Sequence, residues 1–392
     1  MRTAVIVGAG IGGLTAAQAL RRTGWNVAVY EQAAAVAPVG AGVGVAPNAV
    51  KALDHLGLGT ALREHGQRQQ ALEIRLRGGG RVAGIPASRF ERRYGTPFYA
   101  VHRAGLHRIL MDGLDAASLH TGHRATGVAL GPDAATVTFQ GPQGEVAVAA
   151  DLVVAADGVR SALRTALLPA YPGPTYAGYT VWRGTLPAER VARLGLRPVL
   201  SETWGRGARF GMGMIDGGRL YWFACESVPE GSPLAHDLGL LADRFARWHA
   251  PIPAIMTATP EETLLRHDVH YLHERLPSFV HGRVVLLGDA AHAVTPDIGQ
   301  GACLAIEDAV TLAAALENAP AGIDAGLRLY DTLRRPRTER MARASGRLGH
   351  IMQTRNPVAA LARDTVASVL PDALLIGAAG AAFTWTPPLG AT

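Results

Sequence analysis

The chain has 392 residues, 48% of them hydrophobic, which is long enough for two cores and typical of a globular enzyme. Its net charge of +6 comes almost wholly from arginine, but no basic run alternates with aromatic residues, which argues against nucleic-acid binding. No apolar stretch reaches the length of about 18 residues that a membrane span needs. Cys225 and Cys303 are too few to predict disulfides or a metal site, so we expect a reducing, cytoplasmic setting.

The N-terminal segment predicts a nucleotide-binding turn between a strand and a helix. Residues 3–7 are a short apolar run typical of a buried parallel strand, and residues 11–22 have the apolar spacing of a helix. Gly8, Gly10 and Gly13 lie between or within them. Glycine permits a tight turn and lets the backbone approach a pyrophosphate at the helix N-terminus. The glycines also make a signal peptide a poorer interpretation of this stretch.

A second strand over residues 27–30 completes a βαβ unit and leads to Glu31. This acid follows the glycines by about 20 residues, where a carboxylate can bind both ribose hydroxyls of a dinucleotide. A glycine-rich turn without a ligand would not explain it. Helices are then predicted over residues 47–56 and 103–114.

Short strands with glycine-rich turns follow, and then the middle of the chain becomes rich in aromatic residues and methionine, which predicts an antiparallel sheet. The chain ends with a buried strand, a well-patterned helix and further helical sequence, in which the arginines between residues 334 and 343 are expected to form a solvated face. The predicted strands are residues 125–130, 136–139, 146–148, 152–156, 176–186, 207–214, 219–225 and 283–287, and the last patterned helix is 302–316.

The predicted fold class is α/β, with a Rossmann-like nucleotide-binding domain, an inserted antiparallel β-sheet domain and C-terminal helices. Because the aromatic strands lie between nucleotide-binding segments, the domains must be discontinuous in sequence. We expect the nucleotide-binding domain at residues 1–75, 101–174 and 273–345, the sheet domain at residues 76–100 and 175–272, and the C-terminal helical region and tail at residues 346–392.

Two more segments accompany the N-terminal one: ADGVRSALR at residues 156–164, and GDAAH at 288–292 followed by PDIGQG at 296–301. In this order, the chain resembles the single-component, para-hydroxybenzoate hydroxylase-like group A FAD-dependent aromatic monooxygenases, from residue 1 to about residue 345. The resemblance implies FAD as cofactor, and NADH or NADPH and O₂ as co-substrates. It further implies that an electron-rich aromatic or N-heterocyclic molecule is hydroxylated through a flavin C4a-hydroperoxide.

The resemblance also implies which residues contact the cofactor. The segment at Asp157 and Gly158 serves FAD and NAD(P)H in the family, although an aspartate that caps the following helix is the simpler alternative. Asp289 matches an aspartate at the ribityl or pyrophosphate part of FAD, and the loop after Pro296 leads into a helix whose N-terminus can stabilise a reduced flavin. The full expected set is Gly8, Gly10, Ile11, Gly12, Gly13, Glu31, Val45, Arg103, Asp157, Gly158, Arg164, Asp289, Pro296, Gly299, Gln300 and Gly301.

Within the family, the chain is similar to the bacterial FAD-dependent urate hydroxylases. There an arginine, a tyrosine and an aspartate bind or activate the substrate, and the matching residues here are Arg209, Tyr221 and Asp297. Either urate or another phenol or N-heterocycle is compatible with this match. Further candidates for substrate contact come from the aromatic strands, where alternate residues also build cores; they are Tyr179, Trp182, Met212 and Trp222.

Other functions fit less well. A flavin-dependent halogenase needs a lysine and a Trp-x-Trp-x-Ile-Pro segment, but Lys51 is the only lysine and the segment is absent. An NAD-dependent dehydrogenase would lack the second and third segments. A non-hydroxylating FAD oxidoreductase and a non-catalytic flavoprotein remain open. We expect a monomer or homodimer that acts on a small molecule, without a metal, a membrane or nucleic acid.

Overall fold

A computed structural model describes residues 1–35, 40–232, 238–372 and 380–388. Its strands are β1 (Thr3–Val7), β2 (Asn26–Tyr30), β3 (Gly42–Val45), β4 (Gln67–Arg68), β5 (Ala71–Leu76), β6 (Arg81–Pro86), β7 (Tyr99–His102), β8 (Leu119–His120), β9 (Arg124–Leu130), β10 (Ala135–Gly141), β11 (Gly144–Ala150), β12 (Leu152–Ala155), β13 (Thr175–Leu186), β14 (Val199–Trp204), β15 (Ala208–Met214), β16 (Leu220–Glu226), β17 (Leu265–Tyr271), β18 (Val280–His281) and β19 (Val284–Leu286).

Its helices are α1 (Ile11–Arg22), α2 (Pro47–His55), α3 (Gly59–His65), α4 (Ala87–Tyr94), α5 (Arg103–Met111), α6 (Ala162–Leu167), α7 (Ala188–Arg193), α8 (Leu238–Phe245), α9 (Ile252–Ala258), α10 (Asp289–His292), α11 (Gly301–Glu317), α12 (Ile323–Met352), α13 (Pro357–Val369) and α14 (Gly380–Phe383). Within the described ranges, no helix combines the length and the apolar character that crossing a membrane would require.

A six-stranded sheet in the order β18-β19-β12-β1-β2-β8 forms the first layer. β1 lies parallel to both β12 and β2, as the predicted βαβ unit requires, and β19 lies parallel to β12. The central strands are apolar because α1 packs against β1, β2 and β12, and strands β10 and β11 pack against β12 and β1; α11 in turn packs against α1, and Ile6, Leu14, Val153 and Leu304 are fully buried there. This sheet brings the ends of β1, β12 and β19 to one edge, where all three predicted segments begin.

A seven-stranded sheet in the order β17-β13-β16-β15-β14-β5-β6 forms the second layer. The predicted strands of the aromatic region correspond to β13, β15 and β16, which pair antiparallel. The chain first enters this sheet at Ala71, where β5 pairs with β14, which is earlier than the predicted start of the sheet segment at residue 76. The division of the chain into domains stays a prediction.

The two faces of the seven-stranded sheet have different partners. Trp182, Phe210 and Trp222 lie on one face and pack against Phe245 of α8 and Ile255 of α9. Because side chains alternate along a strand, their neighbours in sequence lie on the opposite face, towards the six-stranded sheet. That face carries the site described below.

The prediction that the arginines of α12 form a solvated face is wrong for its central arginines. Arg334 is fully buried, with its Nε 2.6 Å from Asp308 Oδ1 and its Nη1 2.7 Å from Glu307 Oε2. Arg337 donates to both oxygens of Glu307. Arg340 and Arg343 are exposed, as expected. The arginines fasten α12 to α11 because α11 presents two adjacent buried acids to them.

Candidate functional site

The glycines at the N-terminus of α1 form an open cradle at the edge of the six-stranded sheet. Gly8 has a φ of +103°, and a Cβ at this position would lie 2.4 Å from the carbonyl oxygen of Ala156. A Cβ on Gly13 would lie 1.9 Å from the Gly8 oxygen, whereas Gly10 faces open space. No side chain caps the first-turn N–H groups of α1. The turn therefore offers backbone donors to an anion, as a pyrophosphate site requires.

Glu31 lies beside this cradle, as predicted from the spacing. Its Oε2 accepts a hydrogen bond from the Ala9 N–H at 2.8 Å, and its Oε1 accepts one from the Ala33 N–H at 2.8 Å. Two backbone donors hold the carboxylate at the C-terminal end of β2. Its remaining lone pairs can accept ribose hydroxyls.

We infer a cleft next to the cradle, bordered by Asp289 and Arg103. Both side chains are accessible to solvent, yet burial raises the pKa of Asp289 and lowers the pKa of Arg103. Arg103 begins α5 and packs against Gly40. A Cβ added at Gly40 would lie 2.8 Å from the Cβ of Arg103. Accessible groups that are nevertheless desolvated are typical of a cavity wall. The two opposite charges act on each other through space. Arg103 opposes the rise in the pKa of Asp289, and Asp289 opposes the fall in the pKa of Arg103.

His107 was not predicted from the sequence, although it follows Arg103 by one helical turn. Both of its ring nitrogens are buried without a hydrogen-bond partner among the described residues. Burial, reinforced by the charge of Arg103, lowers its pKa to about 4. A neutral imidazole next to the cleft has one donor and one acceptor free for a ligand.

The loop before α11 reaches the same cleft. Gly299 is accessible and has a φ of +65°. A Cβ on Gly301 would lie 4.0 Å from Asp289 Oδ1, and the first turn of α11 has no side-chain cap. Pro296 is likewise accessible, but the Gln300 side chain is fully buried and accepts a hydrogen bond from Asn48 at 2.9 Å. The Gln300 backbone carbonyl accepts from the Leu304 N–H, and the side-chain Nε2 has no hydrogen-bond partner among the described residues.

Two predicted cofactor residues have structural partners instead. Asp157 accepts hydrogen bonds from the Ser161 hydroxyl at 2.6 Å and from the Leu163 N–H at 3.1 Å, so its carboxylate caps α6, the simpler alternative. Arg164 is buried and donates to the Ala290 and Val159 carbonyls. These bonds join the second segment to the third, and a contact between Arg164 and the cofactor stays a prediction.

The other predicted positions contribute backbone or packing. Gly158 has a φ of +83° and open space beside it, so its backbone is accessible to a ligand. Gly12 lies against Leu287, where a Cβ would be 2.8 Å from its side chain. The side chains of Ile11 and Val45 are buried in the core, which leaves only their backbone for the cofactor.

Together these features fit FAD. The uncapped N-terminus of α1 suits the pyrophosphate, Glu31 suits the ribose, and the accessible pair of Asp289 and Arg103 suits the polar chain between the phosphates and the ring. The uncapped first turn of α11 suits a ring that gains negative charge on reduction. Among the described residues, no cluster of side chains is suited to bind a metal ion.

The predicted catalytic residues Arg209 and Asp297 lie together, bridging the two layers. Arg209 Nη2 donates to Asp297 Oδ1 at 2.6 Å, and the Tyr179 hydroxyl donates to the same oxygen at 2.8 Å. Arg209 also donates to Glu202 at 3.1 Å and to Gln353 at 2.9 Å. The Arg209 and Asp297 side chains are only 2% and 1% exposed, so neither reaches the cleft surface directly.

Tyr221 is the predicted catalytic residue that does line the cleft. It is partly accessible and lies over Gly42 of β3, where a Cβ would be 2.5 Å from the tyrosine ring. Burial raises the pKa of Tyr221, and the nearby Arg183 guanidinium opposes that rise. The hydroxyl is therefore protonated at neutral pH and able to donate to a ligand.

Three of the four predicted substrate residues lie elsewhere. Trp182, Met212 and Trp222 belong to the core that packs against α8 and α9, on the face opposite to Tyr221. Trp222 uses its ring N–H for a 2.8 Å bond to the Thr259 hydroxyl. These assignments are corrected, because strand alternation places them on the wrong face for the cleft. The fourth, Tyr179, lies on the same side as Asp297.

Three residues of the site face were missed. Glu202 lies on β14, a strand that was not predicted, and Gln353 follows α12, far from the motifs. Arg183 lies on a strand that was predicted. Because Arg183 is two residues from Val181, alternation along the strand places both side chains on the same face, and this could have been predicted. The preceding Trp182 drew attention to the opposite face instead.

Comparison with known proteins agrees with this geometry. Residues 1–345 match the FAD binding domain family. The chain is 40% identical to the aurachin C monooxygenase/isomerase of Stigmatella aurantiaca, over 92% of each chain. It is 36% identical to an FAD-dependent urate hydroxylase of Klebsiella pneumoniae, over 84% of this chain and 85% of that one.

The fold is similar to the crystal structure of Klebsiella pneumoniae HpxO complexed with FAD and uric acid, with a TM-score of 0.90 and 31% identity over 98% of this chain and 97% of that chain. A family match over most of the chain and relatives of this identity confirm both the predicted fold class and the predicted cofactor. The chain therefore belongs to the FAD binding domain family, among its FAD-dependent aromatic monooxygenases.

Proposed function

We propose that this enzyme uses NADH or NADPH and O₂ to hydroxylate an electron-rich aromatic or N-heterocyclic small molecule. The observation that carries the proposal is the meeting of the FAD cradle with the polar face of the seven-stranded sheet at one cleft. Tyr221 on that sheet lies over Gly42 of β3, the strand that also carries the expected cofactor contact Val45. A substrate placed there would lie between the sheet and the flavin.

When bound, FAD supplies the redox chemistry, accepting a hydride from NAD(P)H and activating O₂. The residues that would hold it are the α1 N-terminus, Glu31 and the cleft residues Arg103 and Asp289. The uncapped first turn of α11 stabilises negative charge on the ring by its free N–H groups and its dipole. The apolar β3 and the overlying sheet exclude water from the reacting atoms.

We assign different roles to the predicted catalytic residues. Tyr221 is accessible, so its hydroxyl is placed to hold a substrate oxygen or nitrogen. Asp297 and Arg209 are buried against each other, and we propose that they position the sheet against the loop before α11. Neither would touch a substrate unless its side chain moved.

Urate is a second, narrower candidate for the substrate. Its support is the match of Arg209, Tyr221 and Asp297 to the urate hydroxylase pattern, together with the relatives described above. Against it stands the saturation of Arg209 by protein groups. The predictions of a cytoplasmic location and of a monomer or homodimer belong to the same proposal.

A screen of aromatic and heterocyclic compounds, urate included, tests the function. NAD(P)H consumption and hydrogen peroxide are measured together for each compound. A monooxygenase consumes NAD(P)H in step with a product that has gained one oxygen atom. Peroxide equal to the NAD(P)H consumed, with every compound, would favour a non-hydroxylating oxidoreductase. FAD that binds but is never reduced would favour a non-catalytic flavoprotein.

A further inference from the structure

Two arginines on the site face of the seven-stranded sheet differ in how their donors are used. Arg209 has an acceptor for each of its five N–H groups: Gln353 for Nε, Glu202 and Met352 for Nη1, and Asp297 and Cys225 for Nη2. Its side chain is 2% exposed. A ligand could bind Arg209 only by displacing one of these partners.

Arg183 lies on the same face and is partly accessible. No carboxylate in the part of the chain described by the structure lies within ion-pair distance of it. Its guanidinium lies near Tyr221 and opposes the rise in the pKa of that tyrosine. Arg183 is thus a charged group whose donors are mostly left for a ligand.

The surroundings of Arg183 are positively charged. Strand register pairs Val181 of β13 with His267 of β17, so His267 shares the face of Val181 and Arg183. Arg103 approaches from α5, and the charges of Arg183 and Arg103 add to burial in lowering the pKa of His267. Two guanidinium groups, an imidazole and a tyrosine hydroxyl favour an anion here, even with the carboxylate of Asp289 near Arg103.

We propose that Arg183, with Tyr221 and His267, binds an anionic oxygen of the substrate, such as a phenolate, an enolate or a carboxylate. Arg209 is then an interior positioning residue. This inference rests on the proposed function and names the charge class of its substrate.

The alternative ligands of this site are FAD and the nicotinamide dinucleotide. FAD is disfavoured because its cradle is built from the six-stranded sheet, whereas Arg183 and His267 belong to the other sheet. A dinucleotide would bring the same phosphate chemistry, so the test must separate it from the substrate. The position of Tyr221 over Gly42 favours the substrate, since β3 also carries Val45, one of the expected cofactor contacts.

The test uses the FAD-loaded enzyme without NAD(P)H, so that no turnover is needed. Urate, 4-hydroxybenzoate and the neutral analogue 4-hydroxybenzamide are titrated while the flavin absorbance spectrum is followed, with inorganic pyrophosphate as a fourth probe. We expect at least one of the two anions to perturb the spectrum. We expect Arg183→Gln to weaken that binding at least tenfold, and Arg183→Lys to weaken it less. Binding of the neutral analogue should change by less than threefold.

Arg266→Gln is the matched control. Arg266 lies next to His267 on β17, pairs with Trp182 in register and so faces the other side, where it forms an ion pair with Asp268 at 2.8 Å. It should bind the anions like the unmodified enzyme. FAD affinity should be the same in all these variants.

Several outcomes would overturn the proposal. Unchanged anion binding in Arg183→Gln would exclude Arg183. A loss of FAD affinity would assign the residue to the cofactor. Weaker pyrophosphate binding and a higher KM for NAD(P)H, with unchanged binding of the aromatic anions, would assign it to the dinucleotide. A failure of the proposed function would be visible separately, as an unmodified enzyme that binds the anions but never forms an oxygenated product.

Discussion

Gly349 of α12 contacts the carboxylate of Asp297 so closely that a Cβ at position 349 would lie 2.1 Å from Asp297 Oδ2. The absence of a side chain there lets the C-terminal helix close over the pair of Arg209 and Asp297. The loop before α11, the seven-stranded sheet and α12 therefore meet at one buried carboxylate.

Gly349→Ala should displace Asp297 and weaken its bond to Arg209. Overpacking of this kind costs about 1–3 kcal/mol of unfolding free energy, measured by urea denaturation. We also expect more peroxide per NAD(P)H oxidised. Gly346→Ala on the same helix is the control: position 346 has open space around it, so alanine should stabilise the helix by up to about 1 kcal/mol. Equal effects of the two variants would refute the role given to Gly349.

Tyr221 and Trp222 are neighbours on β16 with opposite surroundings, so their variants should separate function from stability. Tyr221→Phe should leave the unfolding midpoint nearly unchanged and reduce the yield of oxygenated product. Trp222→Phe should lose the bond to Thr259 and some core packing, at a cost of about 1–3 kcal/mol, while coupling is retained. The reverse pattern in thermal melts and product assays would show that the two faces are wrongly assigned.

His107 should contribute to FAD binding through its free ring nitrogens. His107→Ala is expected to raise the dissociation constant for FAD about tenfold, equal to about 1.4 kcal/mol, and His107→Gln to restore most of it. Flavin fluorescence quenching measures both. His350→Ala, at an exposed position on α12, should bind FAD normally. An unchanged constant in His107→Ala would remove this residue from the cofactor site.

The same histidine gives a pH dependence with a definite sign. Its pKa is about 4 in the folded protein, below the ordinary value of 6.5, because burial disfavours the charged ring. Protonation therefore favours the unfolded state, and stability of the FAD-free protein should fall as the pH decreases from about 6.5 to 4. His107→Gln should lose part of this decline. A parallel decline in both proteins, by urea denaturation, would contradict the assignment.

Asp308 should give a second pH dependence of stability, in a more acidic range than that of His107. Burial alone would raise its pKa, but His292 and Arg334 outweigh burial and lower it to about 2. A depressed carboxylate contributes stability that is present above about pH 4 and lost as the pH falls towards 2, on the order of 2 kcal/mol. The difference in unfolding free energy between unmodified protein and Asp308→Asn should shrink over that range. Asp133→Asn, at an exposed position, should show no such trend.

Local geometry explains what could be predicted from the sequence. The glycines around Gly8, the acid Glu31 and the apolar repeat of α11 each have a short-range physical cause, and their elements lie within one or two residues of the predicted bounds. β14 was missed because its sequence, VLSETW, has three polar residues in succession and no apolar alternation, although it pairs with the adjacent strand β15 as well as with the distant β5. Its buried positions Ser201 and Thr203 are polar, so the local pattern does not predict a strand there.

The remaining errors have a common origin in burial. Period-two alternation shows which strand residues share a face, but not which face meets the cofactor, so Trp182 and Trp222 were placed at the site. Arg334 was expected in solvent because arginine is mostly exposed, and its partners Glu307 and Asp308 lie on another helix. Asp157 matched a cofactor motif, yet the motif also builds the helix cap that the structure shows.

The most direct test of the account is turnover under ¹⁸O₂ with purified, FAD-loaded enzyme and a compound that stimulates NAD(P)H oxidation. The account predicts one ¹⁸O atom in the organic product for each NAD(P)H consumed, with little peroxide. Product that contains only oxygen from water, or NAD(P)H oxidation that yields peroxide alone, would contradict it.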